Sequence, residues 1–217
     1  MEIIKIDPKS PKITDIKKAI GVLESGGLII YPTDTAYGLG ANALDEKAVR
    51  KVYEIKGRDF SKPTHVVVRD WKMIEELAET NHLAKKLFDK FLPGPLTIIL
   101  PKKKTVPDIL TAGLQTVGVR IPNNNLTIKL SNHLTFPYTT PSANKSGGKT
   151  PYSIEDVKKE LDISKIDLIL DAGKLSFNPP STIIDLSGSD PKILREGPIL
   201  KEEIWNYYKN FLPNDEA

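Results

Sequence analysis

The chain has 217 residues, of which 39% are hydrophobic and 27% are charged, and this composition indicates a globular protein with one substantial core. No run approaches the roughly 18 apolar residues of a membrane-spanning helix, and the absence of Cys excludes disulfides, thiolate nucleophiles and Cys-built metal sites. The 31 basic and 28 acidic residues give a net charge of +3, which is too small to predict nucleic-acid binding by itself.

We therefore expect a cytoplasmic protein that does not enter membranes. We expect a single domain over residues 1–217, with its core between about 14 and 212, because no repeat or long linker divides the chain. The first residues lack the pattern of a signal peptide. The three His residues, at positions 65, 82 and 133, are scattered, so we predict no metal site built from protein side chains.

Short β-rich runs alternate with amphipathic helical patterns, which predicts an α/β fold. In the first half the predicted elements are a helix from a cap at Thr14 to Gly26-Gly27, a strand at Leu28–Tyr31, a helix from a cap at Asp45 to Gly57, a strand at Val66–Val68, and helices that begin near Asp70 and Leu83 and end before Pro93. In the second half they are strands at Leu96–Leu100, Val117–Ile121, Leu168–Leu170, Ser181–Leu186 and Ile193–Arg195, and a closing helix at Ile199–Leu212 with Trp205 and Tyr208 on its inner side.

Polar residues gather in four loops, each at the end of a strand-like run. The loops are residues 33–35, residues 56–62, residues 139–150, and the pair formed by 181–182 and 195–197. Because ligands of open α/β sheets gather at strand ends, we expect these loops to converge on one crevice. Each loop alone also fits a purely structural role, as a turn, a helix end or a surface loop.

Together the loops indicate an anionic ligand beside a small zwitterion. The cations suited to phosphate are Lys56, Arg58, Lys62 and Arg195, and the donors suited to phosphate or ribose are Ser142, Asn144 and Thr150. The hydroxyls suited to an amino acid are those of Thr33, Thr35, Thr140 and Ser181, with Arg120 suited to its carboxylate. Since no Ser-His-Asp set, paired carboxylate site or Walker A sequence occurs, such a site would act by positioning and charge neutralisation.

Seven segments of the chain resemble, in order, those of the YrdC-type threonylcarbamoyl-AMP synthases. They are YPTDTAYGLGANA, KGR followed by Lys62-Pro63, LPGPLTIIL, TVGVRIP, TPSANKSG with Thr150-Pro151, STIIDL and ILREGPI. No single segment is specific, but seven in the right order are. The resemblance implies a twisted sheet of mixed parallel and antiparallel strands, flanked by helices, with a basic concave face.

The resemblance also implies an activity and its partners. Members condense L-threonine, bicarbonate or CO2, and ATP into threonylcarbamoyl-AMP and pyrophosphate. A separate transferase complex then moves the threonylcarbamoyl group to an adenosine next to the anticodon of tRNA. Mg²⁺ is expected with the ATP, held mainly by the nucleotide, since Mg²⁺ rarely has an all-protein cage.

By position, the resemblance assigns threonine contacts to Thr35, Arg120, Thr140 and Ser181, and ATP contacts to Arg58, Lys62, Thr116, Ser142, Thr150 and Arg195. Lys56 and Asn144 are expected to line the phosphates, and Lys56 and Arg58 are the candidate catalytic cations. The alternative function is a module that binds double-stranded RNA or tRNA through the same cations without catalysis. The hydroxyl set favours the synthase, because phosphate backbones do not require it.

Three positions depart from the family pattern. Asp59 stands where Pro commonly follows K-x-R, and Asn123 stands where His often follows R-I-P. Val67 occupies the position at which many members carry a His near the threonine. His65 lies two residues earlier, and we interpret it as a structural residue with satisfied hydrogen bonds.

Overall fold

The computed structural model describes residues 1–209, so the predicted end of the closing helix, residues 210–212, lies outside the described residues. The strands are β1 (Glu2–Lys5), β2 (Ile29–Pro32), β3 (Tyr37–Gly40), β4 (Val66–Val67), β5 (Leu96–Pro101), β6 (Thr116–Arg120), β7 (Tyr138–Thr139), β8 (Leu168–Asp171), β9 (Thr182–Asp185) and β10 (Lys192–Arg195). The helices are α1 (Ile13–Glu24), α2 (Glu46–Lys56), α3 (Trp71–Leu77), α4 (His82–Phe91), α5 (Asp108–Thr111), α6 (Asn125–His133), α7 (Ile154–Glu160) and α8 (Lys201–Lys209), with a 3-10 turn at Ile163–Lys165.

The strands form two mixed sheets, which confirms the predicted α/β architecture. The four-stranded sheet has the order β1-β8-β2-β3, and the six-stranded sheet has the order β10-β9-β5-β6-β4-β7. In the first, β8 is parallel to β1 and β2, while β2 and β3 are antiparallel. In the second, β5–β9 and β4–β6 are parallel pairs and the other three are antiparallel. Isolated bridges join Gly38 to Ser142 and Asn42 to Tyr138, so the sheets touch beside the 139–150 loop.

Helix α2 shows how the sequence positions a functional segment. The carboxylate of Asp45 accepts hydrogen bonds from the backbone N–H groups of Lys47 and Ala48, as the predicted N-cap requires. Gly57 ends the helix in the left-handed region, at φ 53°, which glycine adopts without steric cost. These two signals fix where the helix stops and therefore where Lys56 and Arg58 lie.

The cap predicted for α1 is wrong. The helix begins at Ile13, and the N-cap position is held by Lys12, whose side chain makes no capping hydrogen bond. The carbonyl of Lys12 accepts from the N–H groups of Asp15 and Ile16, which draws Thr14 into the first turn. On α8, Ile204 is buried and Trp205 packs against the core as predicted, but Tyr207 takes the inner position expected for Tyr208.

The segment after β2 returns antiparallel to it as a hairpin. Gly38 and Gly40 lie within β3, which pairs antiparallel with β2. A Cβ at Gly40 would come 2.8 Å from Cγ1 of Ile29, and one at Gly38 would come 3.1 Å from Cζ of Tyr31. Glycine is therefore required by the close approach of neighbouring side chains rather than by a turn.

Candidate functional site

A cavity of about 340 Å³ is lined by residues from all four predicted polar loops. The predicted site residues in its lining are Thr33, Thr35, Arg58, Arg120, Thr140, Ser142, Asn144, Thr150, Ser181 and Arg195. Residues up to 162 positions apart, Thr33 and Arg195, thus share one hollow. Three arginines line it, and the lining contains no Asp or Glu. An excess of positive charge in a concave site attracts anions.

Three predicted site residues do not line the cavity: Lys56, Lys62 and Thr116. Thr116 is the first residue of β6 and pairs with Pro101. The side chain of Lys62 is exposed. The backbone carbonyl of Lys62 accepts a hydrogen bond from the hydroxyl of Tyr53, 2.9 Å away. Neither side chain reaches the cavity lining in this conformation.

Lys56 is buried beneath the 142–148 loop rather than beside it. Its side chain is 2% exposed, and Nζ donates to the carbonyl oxygens of Ser142 and Asn144, at 2.5 and 2.6 Å. Its own carbonyl accepts from the N–H of Ser146. Burial, together with the charge of Arg58, lowers the pKa of the Lys56 ammonium to about 7, and Glu160 partly opposes this effect. Lys56 therefore holds the 142–148 loop in shape, whereas the sequence predicted that its side chain would line the phosphates.

The 142–148 loop is further fixed by its own side chains. The hydroxyl of Ser142 donates to Oδ1 of Asn144, at 2.5 Å, and Nδ2 of Asn144 donates to the carbonyl of Gly148, at 2.8 Å. Asn144 is 5% exposed, so its amide serves mainly to close the loop. The S-x-N spacing places both side chains on one concave turn of backbone.

Arg58 combines a structural and a cavity-facing role. Its Nε donates to the carbonyl of Lys62, at 3.1 Å, and Nη2 donates to the carbonyl of Pro63, at 2.7 Å. These bonds hold the guanidinium in one orientation at the cavity lining. The guanidinium lines the cavity, where its positive charge suits an anion.

The YPTDT segment uses its first threonine to form the turn. The Oγ1 atom of Thr33 accepts from the N–H groups of Thr35 and Ala36 and donates to the carbonyl of Ala36. This is the local role that Thr and Asp commonly play in turns. The hydroxyl of Thr35 contacts that of Thr33, at 3.2 Å, and lines the cavity.

Asp34 orients Arg120 within the cavity wall. Nη2 of Arg120 donates to Oδ1 of Asp34 at 2.7 Å, and the side chains are only 6% and 11% exposed. The other oxygen of Asp34 accepts from the N–H of Asn123. Nε of Arg120 is buried and has no hydrogen-bond partner among the described residues. A buried, unpaired donor costs about 1–3 kcal/mol.

Ser181 and Arg195 form another part of the cavity lining. Nε of Arg195 donates to the carbonyl of Ser181, at 2.9 Å, and Nη2 lies 3.3 Å from its hydroxyl. That hydroxyl also lies 2.9 Å from Oγ1 of Thr97 on β5. Partial burial lowers the pKa of Arg195, and Arg120 adds to the effect, which identifies these guanidiniums as neighbours.

Sequence reasoning missed several lining residues. Thr64, His65, Tyr37 and Asn178 all line the cavity. The interpretation of His65 as a residue with satisfied hydrogen bonds is wrong, because its imidazole makes none within residues 1–209. Val67, in contrast, is fully buried in a core cluster that includes Tyr31 and Tyr138. The period-two pattern put both positions on one face, but only the fold shows which of them meets the cavity.

Over the described part of the chain, no group of three or more His, Asp or Glu side chains could hold a metal ion. The same residues include no helix that is long and apolar enough to cross a membrane.

Comparisons with known proteins agree with this geometry. A family model named Sua5_yciO_yrdC, with the description "Telomere recombination", matches residues 21–197. A relative from Methanocaldococcus jannaschii is 48% identical over 175 residues, which are 81% of this chain and 82% of that protein. The threonylcarbamoyl-AMP synthase of Pyrococcus abyssi is 42% identical over 190 residues, 87% of this chain and 56% of that protein.

A crystal structure of P. abyssi Sua5 complexed with L-threonine superposes with a TM-score of 0.90 and 39% sequence identity. The match covers 95% of this chain and 61% of the other. This chain therefore spans little more than half the length of the Pyrococcus protein.

Proposed function

Because this chain belongs to the Sua5–YciO–YrdC family, we propose that it is a threonylcarbamoyl-AMP synthase, the activity named for the Pyrococcus relative. The observation that carries the proposal is the lining of one cavity, in which three arginines suited to anionic groups stand with hydroxyls suited to an amino acid. Since the matched Sua5 structure contains L-threonine, the same amino acid is the proposed substrate here.

The geometry divides the cavity into two parts. On the side of the 142–148 loop, Arg58, Ser142, Asn144 and Thr150 would bind the phosphates and ribose of ATP, with Arg195 reaching them from β10. Near β6, the guanidinium of Arg120 would bind the carboxylate of threonine, and Thr35, Thr140 and Ser181 would contact its amine and hydroxyl. Thr33 would hold the turn that presents Thr35.

The proposed reaction has two steps. The threonine amine attacks CO2 to form a carbamate, and the carbamate oxygen then attacks the α-phosphorus of ATP, from which pyrophosphate leaves in line. The guanidiniums of Arg58 and Arg195 neutralise charge on the phosphates as it shifts, a contribution that grows in a water-poor site. Lys56 would act through the loop carbonyls that it holds, so its role is positioning rather than contact with the phosphates.

Mg²⁺ would enter as the counter-ion of ATP. The cavity lining offers no carboxylate to hold the ion, so the donor set fits a metal held by phosphate oxygens and water. When bound, Mg²⁺ supplies charge neutralisation at the phosphates.

We also propose that the reaction takes place in the cytoplasm and that a separate transferase complex uses the product to modify tRNA. The alternative function, an RNA-binding module without catalysis, is not favoured, because it leaves the hydroxyl set and the unpaired Nε of Arg120 unexplained.

The test is an assay of product formation. Protein, ATP, Mg²⁺ and bicarbonate are incubated with L-threonine, with L-alanine or with no amino acid, and pyrophosphate and the carbamoyl-adenylate are measured. We expect both products with threonine and neither without it. Pyrophosphate release that does not depend on threonine, or none at all, would contradict the proposal.

A further inference from the structure

His65 stands beside the proposed carboxylate site, on the same face of the six-stranded sheet. Val66 pairs with Val119 and Val67 pairs with Arg120, so His65 lies opposite Gly118 on β6. Gly118 and Arg120 are two residues apart and share a face. A Cβ at Gly118 would come 2.6 Å from Cδ2 of His65, so glycine leaves the space in which the imidazole lies.

A second strand places His65 next to the proposed threonine contacts. Its carbonyl accepts a hydrogen bond from the N–H of Thr140, at 3.0 Å, while Arg120 lies on the neighbouring strand, with strands about 4.8 Å apart. In an α-amino acid the ammonium group is bonded to the carbon next to the carboxylate. A carboxylate on the guanidinium of Arg120 therefore places the ammonium group one carbon away, in the part of the cavity that His65 also lines.

The lining offers no other group suited to take a proton from that ammonium. It contains no Asp, Glu or Lys, and its arginines are already protonated. The nearest carboxylate, Asp34, has its oxygens bound by Arg120 and by the N–H of Asn123. Burial raises the pKa of the Tyr37 phenol, whose hydroxyl donates to the carbonyl of Gly173. Among the lining residues, only His65 has a neutral nitrogen with a free lone pair.

We propose that the imidazole of His65 accepts the ammonium proton of the amino-acid substrate and so makes the amine nucleophilic. The inference rests on the proposed function. One N–H bond of the ammonium breaks and its proton passes to the imidazole. The freed lone pair forms the N–C bond to CO2 while the π pair of one C=O bond moves to its oxygen, which becomes the carbamate oxyanion. The second proton, which becomes acidic on carbamate formation, leaves to water. No oxidant or reductant is required.

The charges around His65 make this step depend on the nucleotide. Burial, together with the charges of Arg195, Arg120 and Arg58 from β10, β6 and the end of α2, lowers the pKa of the imidazole to about 3. The facing carboxylate, Asp34, is committed to Arg120. A bound triphosphate places negative charge beside these guanidiniums and so opposes their effect on the imidazole. The base therefore gains strength when ATP is in place, which ties carbamate formation to the presence of its acceptor.

The first experiment compares His65→Gln with wild type and with His133→Gln, a control at an exposed His on α6. With all substrates saturating at pH 7, we expect kcat of His65→Gln to fall about 100-fold or more, the usual contribution of a general base, and His133→Gln to match wild type. The KM for ATP should stay within about twofold in all three proteins. Raising the pH supplies free amine, so the deficit of His65→Gln should shrink about tenfold per pH unit, which a purely structural defect would not do.

Retention of more than about a third of wild-type kcat by His65→Gln, or a deficit that does not change with pH, would overturn the proposal. Failure of the proposed function looks different, because wild type itself would then release no threonine-dependent pyrophosphate.

A second experiment needs no substitution in the active protein. The chain has only three His residues, so their imidazole signals can be followed by NMR as the pH is varied. Addition of α,β-methylene ATP, which cannot release pyrophosphate, should raise the pKa of the His65 imidazole by about 1 or more and leave His133 unchanged. An unmoved His65 would overturn the link to the nucleotide even if His65→Gln failed to fold.

Discussion

The polar groups on the two sides of the cavity differ in whether they have hydrogen-bond partners within the protein. On the side of α2 and the 142–148 loop, Lys56 and Arg58 donate hydrogen bonds to backbone carbonyls and so hold the loops in place. On the side of β4 and β6, the Nε of Arg120, the Oγ1 of Thr64 and the imidazole of His65 have no partner within residues 1–209. We call the first side the frame, because its hydrogen bonds fix its shape without a ligand. On the second side, polar groups are left unpaired, and among them the imidazole of His65 lines the cavity, where a ligand can use it.

The largest effect should come from Arg120, which lines the cavity and also forms a buried ion pair with Asp34. We expect Arg120→Met to lower kcat/KM for threonine by about 1000-fold and the free energy of unfolding by about 3–5 kcal/mol, because the carboxylate of Asp34 is left buried without a cation. Urea unfolding and the pyrophosphate assay measure the two losses separately.

The double variant Arg120→Met with Asp34→Asn is the matched control. It removes the stranded charge, so much of the lost stability should return while threonine-dependent activity stays low. A KM for threonine close to that of wild type in either variant would show that the carboxylate binds elsewhere.

The next effect tests the frame. Lys56→Met removes a charged donor from two carbonyls, and bonds to charged groups contribute about 1.5–3 kcal/mol each, so we expect kcat/KM for ATP to fall about 100-fold. The KM for threonine should change less than about threefold. Hydrogen exchange at the amide of Ser146, which donates to the Lys56 carbonyl, should accelerate.

Lys47→Met, at an exposed position on the same helix, should leave activity and exchange as in wild type. If Lys56→Met lost activity with an unchanged 142–148 loop, Lys56 would instead act directly on the substrates.

The pH dependence of the free energy of unfolding should distinguish the side of β4 and β6 from the frame. The pKa of His65 is about 3 in the folded protein against an ordinary 6.5, so the unfolded chain binds more protons between these values and stability falls as the pH drops from 6.5 toward 3. At pH 5 this loss amounts to about 2 kcal/mol, at about 1.4 kcal/mol per pH unit. Chemical unfolding at pH 7.5 and pH 5 should therefore show a smaller drop for His65→Gln than for wild type and for His133→Gln. Equal drops in all three proteins would mean that His65 is charged in the folded state.

Arg58→Lys should have a moderate effect. A lysine cannot bond two carbonyls and an anion with one planar group, so we expect the KM for ATP to rise about tenfold with kcat little changed. Steady-state kinetics at varied ATP measure this. A KM within twofold of wild type would place the phosphates away from Arg58.

The smallest effects are expected at the two predicted ATP contacts that lie off the cavity lining. Lys62→Ala and Thr116→Val should each change kcat/KM for ATP by less than about threefold, because their side chains do not reach the cavity in this conformation. A loss of tenfold or more in either variant would show that ATP binding draws these residues inward.

Much of the fold follows from local signals in the sequence. Asp45 and Gly57 bound α2, Asp70 caps α3, and apolar runs mark strands such as β5 and β6. The predictions missed β1, β3, β7 and the helices α5, α6 and α7. The strands β1 and β7 and the helix α5 are short, and β3 is rich in glycine, so their propensity is weak and neighbouring strands and core residues stabilise them. The nine residues of α6 and the seven of α7 do carry side-chain N-caps, at Asn124 and Ser153, and these signals were overlooked.

The sequence by itself determined the family and which residue types meet a nucleotide and an amino acid, because motif order and chemistry are local properties of the chain. Only the tertiary structure decided how each group is used. In the fold, Lys56 lies beneath the 142–148 loop and Lys62 lies in solvent. Val67 packs in the core, and His65 lines the cavity beside Arg120. Those outcomes depend on strand register and on which carbonyls lie within reach of a side chain, and both are set by contacts between residues far apart in the sequence.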